Sequence, residues 1–466
     1  MWHESGIERT RFGILCGLLA ACFLMGGASR TDVSSLLVLQ PFAALCAAAF
    51  LLLPGRIGFG SVRIPLLLLA VLGAIMVAQL IPLPPALWTR LPGRALYIEA
   101  ARVAGLPQPW RPMSLTPDLT MASLVGLIVP LAVLIGLAAI GGKRRHALLG
   151  LVLAGVGTSA LFALGQVTSG GQGPLYLYEI TNVGSGVGLF SNRNHQAVLL
   201  AMAWPMLLTW AVVVRRDPRR QAAVQWIAAS MALFLLPLLL VTGSRAGLAL
   251  AGLTLGACAI LWYRQRYAAG WRRPNWLVGA LGVGAALIVV GVTLVLSRAE
   301  AVQRLLASQS ADDARIQATP VVLRMIRDFF PVGSGLGSFD PVFRHYEPLG
   351  MLGPEYLNHA HDDALELVLT AGLPGLVLLL VFVGWVLVQS VRAWRCEEPS
   401  ADIGLARTGS VMICVALLSS IVDYPLRTPL MMALVSIACA WLGQRAEPVV
   451  GEASGQPKGA LRAAGL

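Results

Sequence analysis

The chain has 466 residues, 57% of them hydrophobic and only 12% charged, with a mean hydropathy of +0.73. A water-soluble domain could carry that composition only as large exposed apolar patches, so the bilayer is its expected solvent. The formal charge of +12 arises from 35 basic against 23 acidic residues. The basic residues fall in short clusters between apolar runs and form no continuous face, which argues against nucleic acid as a partner.

Crossing the hydrocarbon takes roughly 20 apolar residues in a helix. Twelve segments qualify, at about 12–29, 33–53, 64–81, 119–140, 147–168, 195–214, 223–242, 246–263, 275–296, 366–390, 409–424 and 428–444. The expected fold is an all-α polytopic membrane protein of about 12 transmembrane helices, with a small helical periplasmic subdomain between the ninth and tenth spans. Residues 1–296 hold spans one to nine, 297–365 the subdomain and 366–444 the last three spans. The Gly-, Ala- and Pro-rich stretch 445–466 is expected to be a disordered cytoplasmic tail. HESGIERTR precedes the first apolar run and no small-x-small cleavage site ends it, so an uncleaved first helix is expected. Six cysteines lie inside apolar runs and Cys396 in a polar loop, which builds no disulfide framework or CxxC metal site.

Short cytoplasmic loops retain Lys and Arg. With the N-terminus inside, 21 of the 35 basic residues fall on cytoplasmic segments, among them Arg9, Arg11, Arg56, Arg63, Arg145, Arg392, Arg395 and Arg407. Most of the others lie in two long outer segments, 82–118 and 297–365. Segment 82–118 is Pro-interrupted and aromatic, and is expected to lie along the membrane surface. Within 297–365, residues 299–309 read as one helix. Thr319-Pro320 reads as the N-cap and first-turn proline of a second helix running through Phe330, which PVGSGLGSF then breaks. The spans hold almost no ionisable residues, whereas coupled transporters keep some near the midplane.

On this topology four polar clusters reach the outer face. GLFSNRNHQA, residues 188–197, is either a plain helix start, with Ser191 or Asn192 as cap and Arg193 and His195 in headgroup water, or an anion site that pairs Arg193 with free helix N–H groups. TGSRAG, residues 242–247, is a tight hairpin with a snorkelling Arg245, or a turn whose small residues let a ligand approach that arginine. Arg315 in DDARIQATP is an ordinary solvated partner of Asp312 and Asp313 unless the other clusters enlist it. NHAHDDALELVLTAGLPGL, residues 358–376, crowds Asn358, His359, His361, Asp362, Asp363 and Glu366 at a span entrance. It reads as a polar helix start, as a divalent-metal site of His359, His361 and Asp363, or as the seat of a catalytic base, since histidine titrates near working pH. Several permanent cations facing one imidazole suit a diphosphate leaving group and a hydroxyl acceptor.

These motifs, with the DxxR of Asp312 to Arg315, PVGSGLGSF and DYPLRTP at 423–429, resemble the O-antigen ligase and O-antigen polymerase family of bacterial envelope enzymes. The resemblance covers most of the chain and is densest from about 188 to 376. It implies a metal-independent, inverting glycosyltransferase of the inner membrane, without a cofactor, whose active site faces the periplasm while both termini are cytoplasmic. The implied donor is a glycan on undecaprenyl diphosphate and the acceptor a glycan or a lipid A-core, which makes the activity ligation or polymerisation. Arg193, Arg245 and Arg315 would hold the diphosphate and His361 would activate the acceptor hydroxyl, with Asn192, His195, His359, Asp362 and Asp363 in support. Asp362 stands where members often carry Asn, which adds a negative charge near the base and is expected to raise its pKa. Thr370 stands where members often carry Glu before the Gly-Leu-Pro-Gly segment. The alternative from another class is a non-enzymatic transporter or flippase of a polyprenyl-diphosphate-linked glycan, which needs a polar path through the spans.

Overall fold

A computed structural model describes residues 2–170, 173–212, 218–268, 309–353, 357–397 and 400–444. The regular elements in these stretches are helices apart from one small ribbon. The helices used below are α1 (Trp2–Met25), α2 (Leu36–Leu52), α3 (Arg63–Leu80), α4 (Pro85–Trp88), α5 (Ala95–Val103), α6 (Pro117–Gly126), α7 (Ile128–Ala139) and α8 (Gly142–Thr168). After these come α9 (Arg193–Val212), α10 (Pro218–Val241), α11 (Arg245–Ala268), α12 (Gln309–Phe329), α13 (Phe339–Phe343), α14 (Asp363–Arg395), α15 (Ala401–Ser419) and α16 (Pro429–Leu442). Among the described residues eight helices are long and apolar enough to cross a membrane, while α2 and α16 are apolar but shorter. The expected span 275–296, the expected helix 299–309 except its last residue, and the tail 445–466 lie outside the described residues.

Burial sorts the bundle. Most of α9 and α15 is enclosed, whereas α3, α10 and α14 leave most of their residues only partly buried or exposed and turn side chains such as Leu67, Trp226, Leu380 and Leu387 outward. In a bilayer such outward apolar surface faces lipid. One large apolar core joins α1, α2, α7, α8, α9, α15 and α16. A second, built on Val322, Met325, Phe329, Phe339, Phe343 and Leu369, ties α12 and α13 to the start of α14.

Three expected elements differ in detail on folding. Span 119–140 holds as one spanning run, Pro117–Ala139, interrupted only at Leu127 between α6 and α7, because Pro130 has no N–H to donate back to Gly126. The tenth span breaks: Gly372 sits at φ 62°, ψ −145° inside α14, two residues before Pro374. Pro374 leaves the Thr370 carbonyl without its helical partner. That oxygen accepts from Gln79 Nε2 at 2.9 Å and from Gly335 N at 2.9 Å, while Leu369 O takes Ser334 N at 3.0 Å and Leu373 N turns to Pro331 O at 2.8 Å. The PVGSGLGSF loop therefore satisfies the backbone groups that the AGLPG break sets free, as a chain at membrane depth requires. Finally, Thr319-Pro320 opens no helix, since α12 runs from Gln309 straight through Pro320. The fixed φ of proline is helical, and packing of Val322, Met325 and Phe329 orders the helix on both sides of it.

Another correction concerns Arg407. The expected cytoplasmic loop residue is 4% exposed inside α15, donating to Ala393 O at 3.1 Å and Cys396 O at 2.6 Å. A cation there satisfies the orphan carbonyls at the C-terminus of α14, so the helix begins at Ala401, capped by Ser400, eight residues earlier than its apolar run. Segment 82–118 adds the only strands among the described residues, Pro82–Leu83 antiparallel to Arg111–Pro112. It docks on the 329–338 loop through Arg94, which lies between the rings of Trp88 and Phe329 and donates to Met113 O at 2.6 Å and Gly333 O at 3.3 Å. Burial lowers the pKa of Arg94 to about 10, still far above neutrality.

Gln79 is 2% exposed, and while its Nε2 holds Thr370 O, its Oε1 accepts from Leu336 N at 3.0 Å. Gln79→Leu strips both partners and leaves buried backbone groups unsatisfied, at about 1–3 kcal/mol each. Thermal unfolding of the purified protein is expected to shift several degrees downward, and Gln79→Glu is expected to destabilise as well, because an ionised carboxylate cannot donate to Thr370 O and would be buried beside it.

Candidate active site

The site forms where α1, α9, α14 and the α15–α16 hairpin meet at one end of the bundle. Two glycines at the end of α1 set the spacing. Leu430 N donates to Gly26 O at 2.9 Å and Ser191 N to Gly27 O at 3.2 Å, and a Cβ on Gly27 would stand 1.9 Å from the Leu189 carbonyl oxygen. Loop 178–191 and the start of α16 are thereby held against the same point.

α9 starts as the sequence suggests. Asn192 Oδ1 accepts from Asn194 N at 2.8 Å and Asn182 Oδ1 from Arg193 N at 3.0 Å. His195, expected in headgroup water, is instead completely buried. Its ring stands edge-on to Phe190 and Tyr424 at 6.0 and 5.4 Å, with Nε2 4.0 Å from Asp423 Oδ1.

At the start of α14, Asp362 is the N-cap, its carboxylate accepting from Leu365 N at 2.9 Å. Burial holds this carboxyl above its ordinary range despite the backbone donors. The acid that sequence comparison set beside the base is thus spent on the helix start. His361, just before it, has φ +54°, the only positive φ at a non-glycine residue among those described. That conformation is uncommon for a side-chain-bearing residue and marks functional sites. It directs the imidazole to Asp423, with Nδ1 3.3 Å from Oδ1 and only 12% of the side chain exposed.

Asp423 lies in the hairpin between α15 and α16 and is 3% exposed. Its Oδ2 accepts from Asn194 Nδ2 at 2.6 Å and from Asn192 Nδ2 at 3.5 Å, and its Oδ1 from Tyr424 N at 3.0 Å. Tyr424 is the hub of the ring packing: His359 is 4.4 Å and His361 4.7 Å from it, centroid to centroid. Its hydroxyl donates to Asn358 Oδ1 at 3.3 Å.

A second ionic group lies beside the first. Arg427 Nε donates to Asp363 Oδ1 at 3.0 Å, and its Nη2 is 3.3 Å from Glu366 Oε1. Ser420 Oγ completes Asp363 at 2.9 Å. Glu366, 1% exposed, also accepts from Ala360 N at 2.9 Å and lies 3.1 Å from His359 Nδ1. Burial alone would pull Arg427 down, but Glu366 and Asp363 outweigh it and raise its pKa.

The three side chains of the metal reading therefore face different partners: His359 faces Glu366, His361 faces Asp423 and Asp363 faces Arg427. Among the described residues no group of three His, Cys, Asp or Glu converges in metal-holding geometry.

The arginines come from neighbouring helix starts. Arg193 opens α9 and Arg245 opens α11, where Ser244 Oγ caps by accepting from Gly247 N at 2.9 Å. The two starts abut. A Cβ on Gly247 would lie 2.4 Å from Ala197 Cβ, and one on Gly243 3.7 Å from Arg193 Nη1, so the Arg193 guanidinium sits over the TGS turn that precedes Arg245. Arg315 belongs to α12, and its side chain lies outside the described residues.

Sequence reasoning left Asp423, Tyr424, Arg427 and Asn194 out of the site and gave Glu366 no role. The signal for Asp423, Tyr424 and Arg427 was present in DYPLRTP, a short turn between apolar runs that carries opposite charges four residues apart.

Removing one member of a buried ion group costs about 3–5 kcal/mol because its partners are left charged and unpaired. Arg427→Gln is expected to reduce the folded yield sharply, and adding Asp363→Asn and Glu366→Gln to restore most of it. Size-exclusion profiles and thermal unfolding of the single and triple variants check this.

No curated protein matches the chain. The family model described as O-antigen ligase matches residues 229–380, which include TGSRAG, α12 and the HAHDD junction, while Arg193 and the Asp423–Arg427 hairpin fall outside it. Over that stretch, with its apolar spanning helices, the chain is similar to the O-antigen ligase family of membrane glycan-transfer enzymes.

Proposed function

We propose that the protein is an inverting, metal-independent glycosyltransferase of the bacterial inner membrane. It moves a glycan from undecaprenyl diphosphate to a sugar hydroxyl at the periplasmic face, on a lipid A-core acceptor in ligation or on another repeat unit in polymerisation. The observation that carries this reading is the pairing of His361 with the buried Asp423, at the same end of the bundle as the Arg193 and Arg245 helix starts. The family match at residues 229–380 supports the reaction class.

In this mechanism Nδ1 of His361 faces Asp423, which leaves Nε2 to take the acceptor proton. The deprotonated oxygen attacks the anomeric carbon from the side opposite the diphosphate, forming the new glycosidic bond as the bond to the diphosphate oxygen breaks. Asp423 stabilises the imidazolium and holds the ring's orientation, the part a buried carboxylate plays behind a catalytic histidine. Arg193 and Arg245, joined by Arg315, take up the charge that grows on the departing diphosphate, where a forked, permanently charged donor acts most strongly. The left-handed backbone at His361 is the conformational cost of aiming the base at both groups.

His361→Ala is expected to lower transfer by roughly 10²- to 10⁴-fold in proteoliposomes supplied with lipid-linked donor, with the protein still folded; unchanged turnover refutes the base assignment. Arg245→Lys keeps the charge but loses the fork, so donor use should fall substantially. Activity that disappears in EDTA and returns with a divalent ion would overturn the metal-independent mechanism. Lengthening of lipid-linked repeats with no lipid A present identifies a polymerase, and strict dependence on lipid A-core a ligase.

A further inference from the structure

At the opposite end of the bundle lies a cavity of about 990 Å³, built from the starts of α1, α3, α8 and α15 and the 54–63 loop. α15 runs from one end to the other, and the 17 residues from Asp402 at the cavity to Ser419 beside the His361 site place the two roughly 26 Å apart. Nothing in the transfer chemistry uses this cavity.

Its lining is cationic. Arg11, Arg56, Arg63 and Arg145 face it against two acids, Glu8 and Asp402. Both acids have other cations at hand: Glu8 is 3.4 Å from Arg144 and Asp402 2.9 Å from His146. Arg11, only 4% exposed, uses its guanidinium on the carbonyls of Leu53, Gly55, Arg56 and Ala139. Those contacts hold the charge in place without neutralising it. The buried Nε atoms of Arg11 and Arg145 have no hydrogen-bond partner, and Arg56 and Arg63 are exposed.

Two helices also begin here, α3 of 18 residues and α8 of 27; neither N-cap residue caps with its own side chain, and at the start of α8 Glu8 Oε1 accepts from Gly141 N at 3.3 Å. Their first N–H groups and positive dipole ends add to the arginine charge. Glycines 55, 58, 60, 141 and 142 line the opening, and a Cβ on Gly60 or Gly142 would meet nothing within 4 Å, so a ligand can reach the backbone.

We propose that this cavity is a binding site for a phosphate-bearing anion, with Arg56, Arg63 and Arg145 as ligands and Arg11 as the fixed charge behind them. The ligand is the headgroup of an anionic phospholipid or a soluble phosphate. Basic pockets at span ends accept the first by the same forked hydrogen bonds that hold the second.

The test uses the full-length protein in neutral detergent, with thermal unfolding followed by tryptophan fluorescence. Short-chain phosphatidylglycerol, phosphatidylcholine of equal chain length and inorganic phosphate are the three probes. Arg56→Gln with Arg63→Gln empties the cavity of two exposed charges, and Arg392→Gln with Arg395→Gln removes two charges from the same end but outside it. The expected result is stabilisation of the wild type by several degrees with phosphatidylglycerol over phosphatidylcholine, largely lost in the first double variant and kept in the second. A gain from phosphatidylglycerol alone identifies a lipid headgroup, and an equal gain from inorganic phosphate a soluble ligand. Equal responses of the two double variants, or no stabilisation by either anionic probe, overturn the proposal.

Discussion

The carboxylate of Asp423 is the constraint on which the site depends. At 3% exposure it has lost its water, and an ionised carboxylate persists at such a position only if polar partners replace its hydration. Those partners come from distant parts of the chain: Asn192 and Asn194 at the start of α9, the Tyr424 backbone next door, and His361 across at the entrance to α14. Satisfying one buried charge therefore brings three elements into register, and the base stands in its place as a result. The adjoining group of Arg427, Asp363, Glu366 and His359 obeys the same rule with a cation at its centre.

Backbone groups at membrane depth impose a parallel demand. The break at Gly372 and Pro374 would strand carbonyls in a region without water, and the 330–338 loop with Gln79 supplies their donors. This joins α3, α12 and α14 just beyond the helix start that carries Asp362 and His361. A break in a span, costly alone, becomes the joint by which α12 and the 330–338 loop grip the bundle.

The two ends of the bundle treat charge differently. Around His361 most charged side chains are buried and matched to opposite partners or amides within a few ångströms. At the far end, four arginines outnumber the two acids of an open cavity, and those acids also meet cations outside it, so positive charge is in excess there. Among the described residues, basic side chains spread through the sequence gather in the fold at this cavity and in several internal clamps, of which Arg11, Arg94 and Arg407 are examples.

Length and hydropathy sufficed to mark the chain as a helical membrane protein, because a bilayer demands long apolar runs and little else. Local rules likewise marked a helix start at Ser191 or Asn192 and offered a polar helix start in NHAHDD, since a cap is made within a few residues of itself. What those rules missed has a common cause. Arg407 inside α15 answers carbonyls 11 and 14 residues back on the preceding helix, and the buried His195 and the pairing of His361 with Asp423 depend on partners 228 and 62 residues away. NHAHDD displayed its polar groups, but an imidazole looks the same in sequence whether its neighbour is a metal, a helix dipole or a carboxylate. Only the folded hairpin, which sets Asp423 3.3 Å from His361, decided among them, because a buried charge chooses its partner by proximity in space and not along the chain.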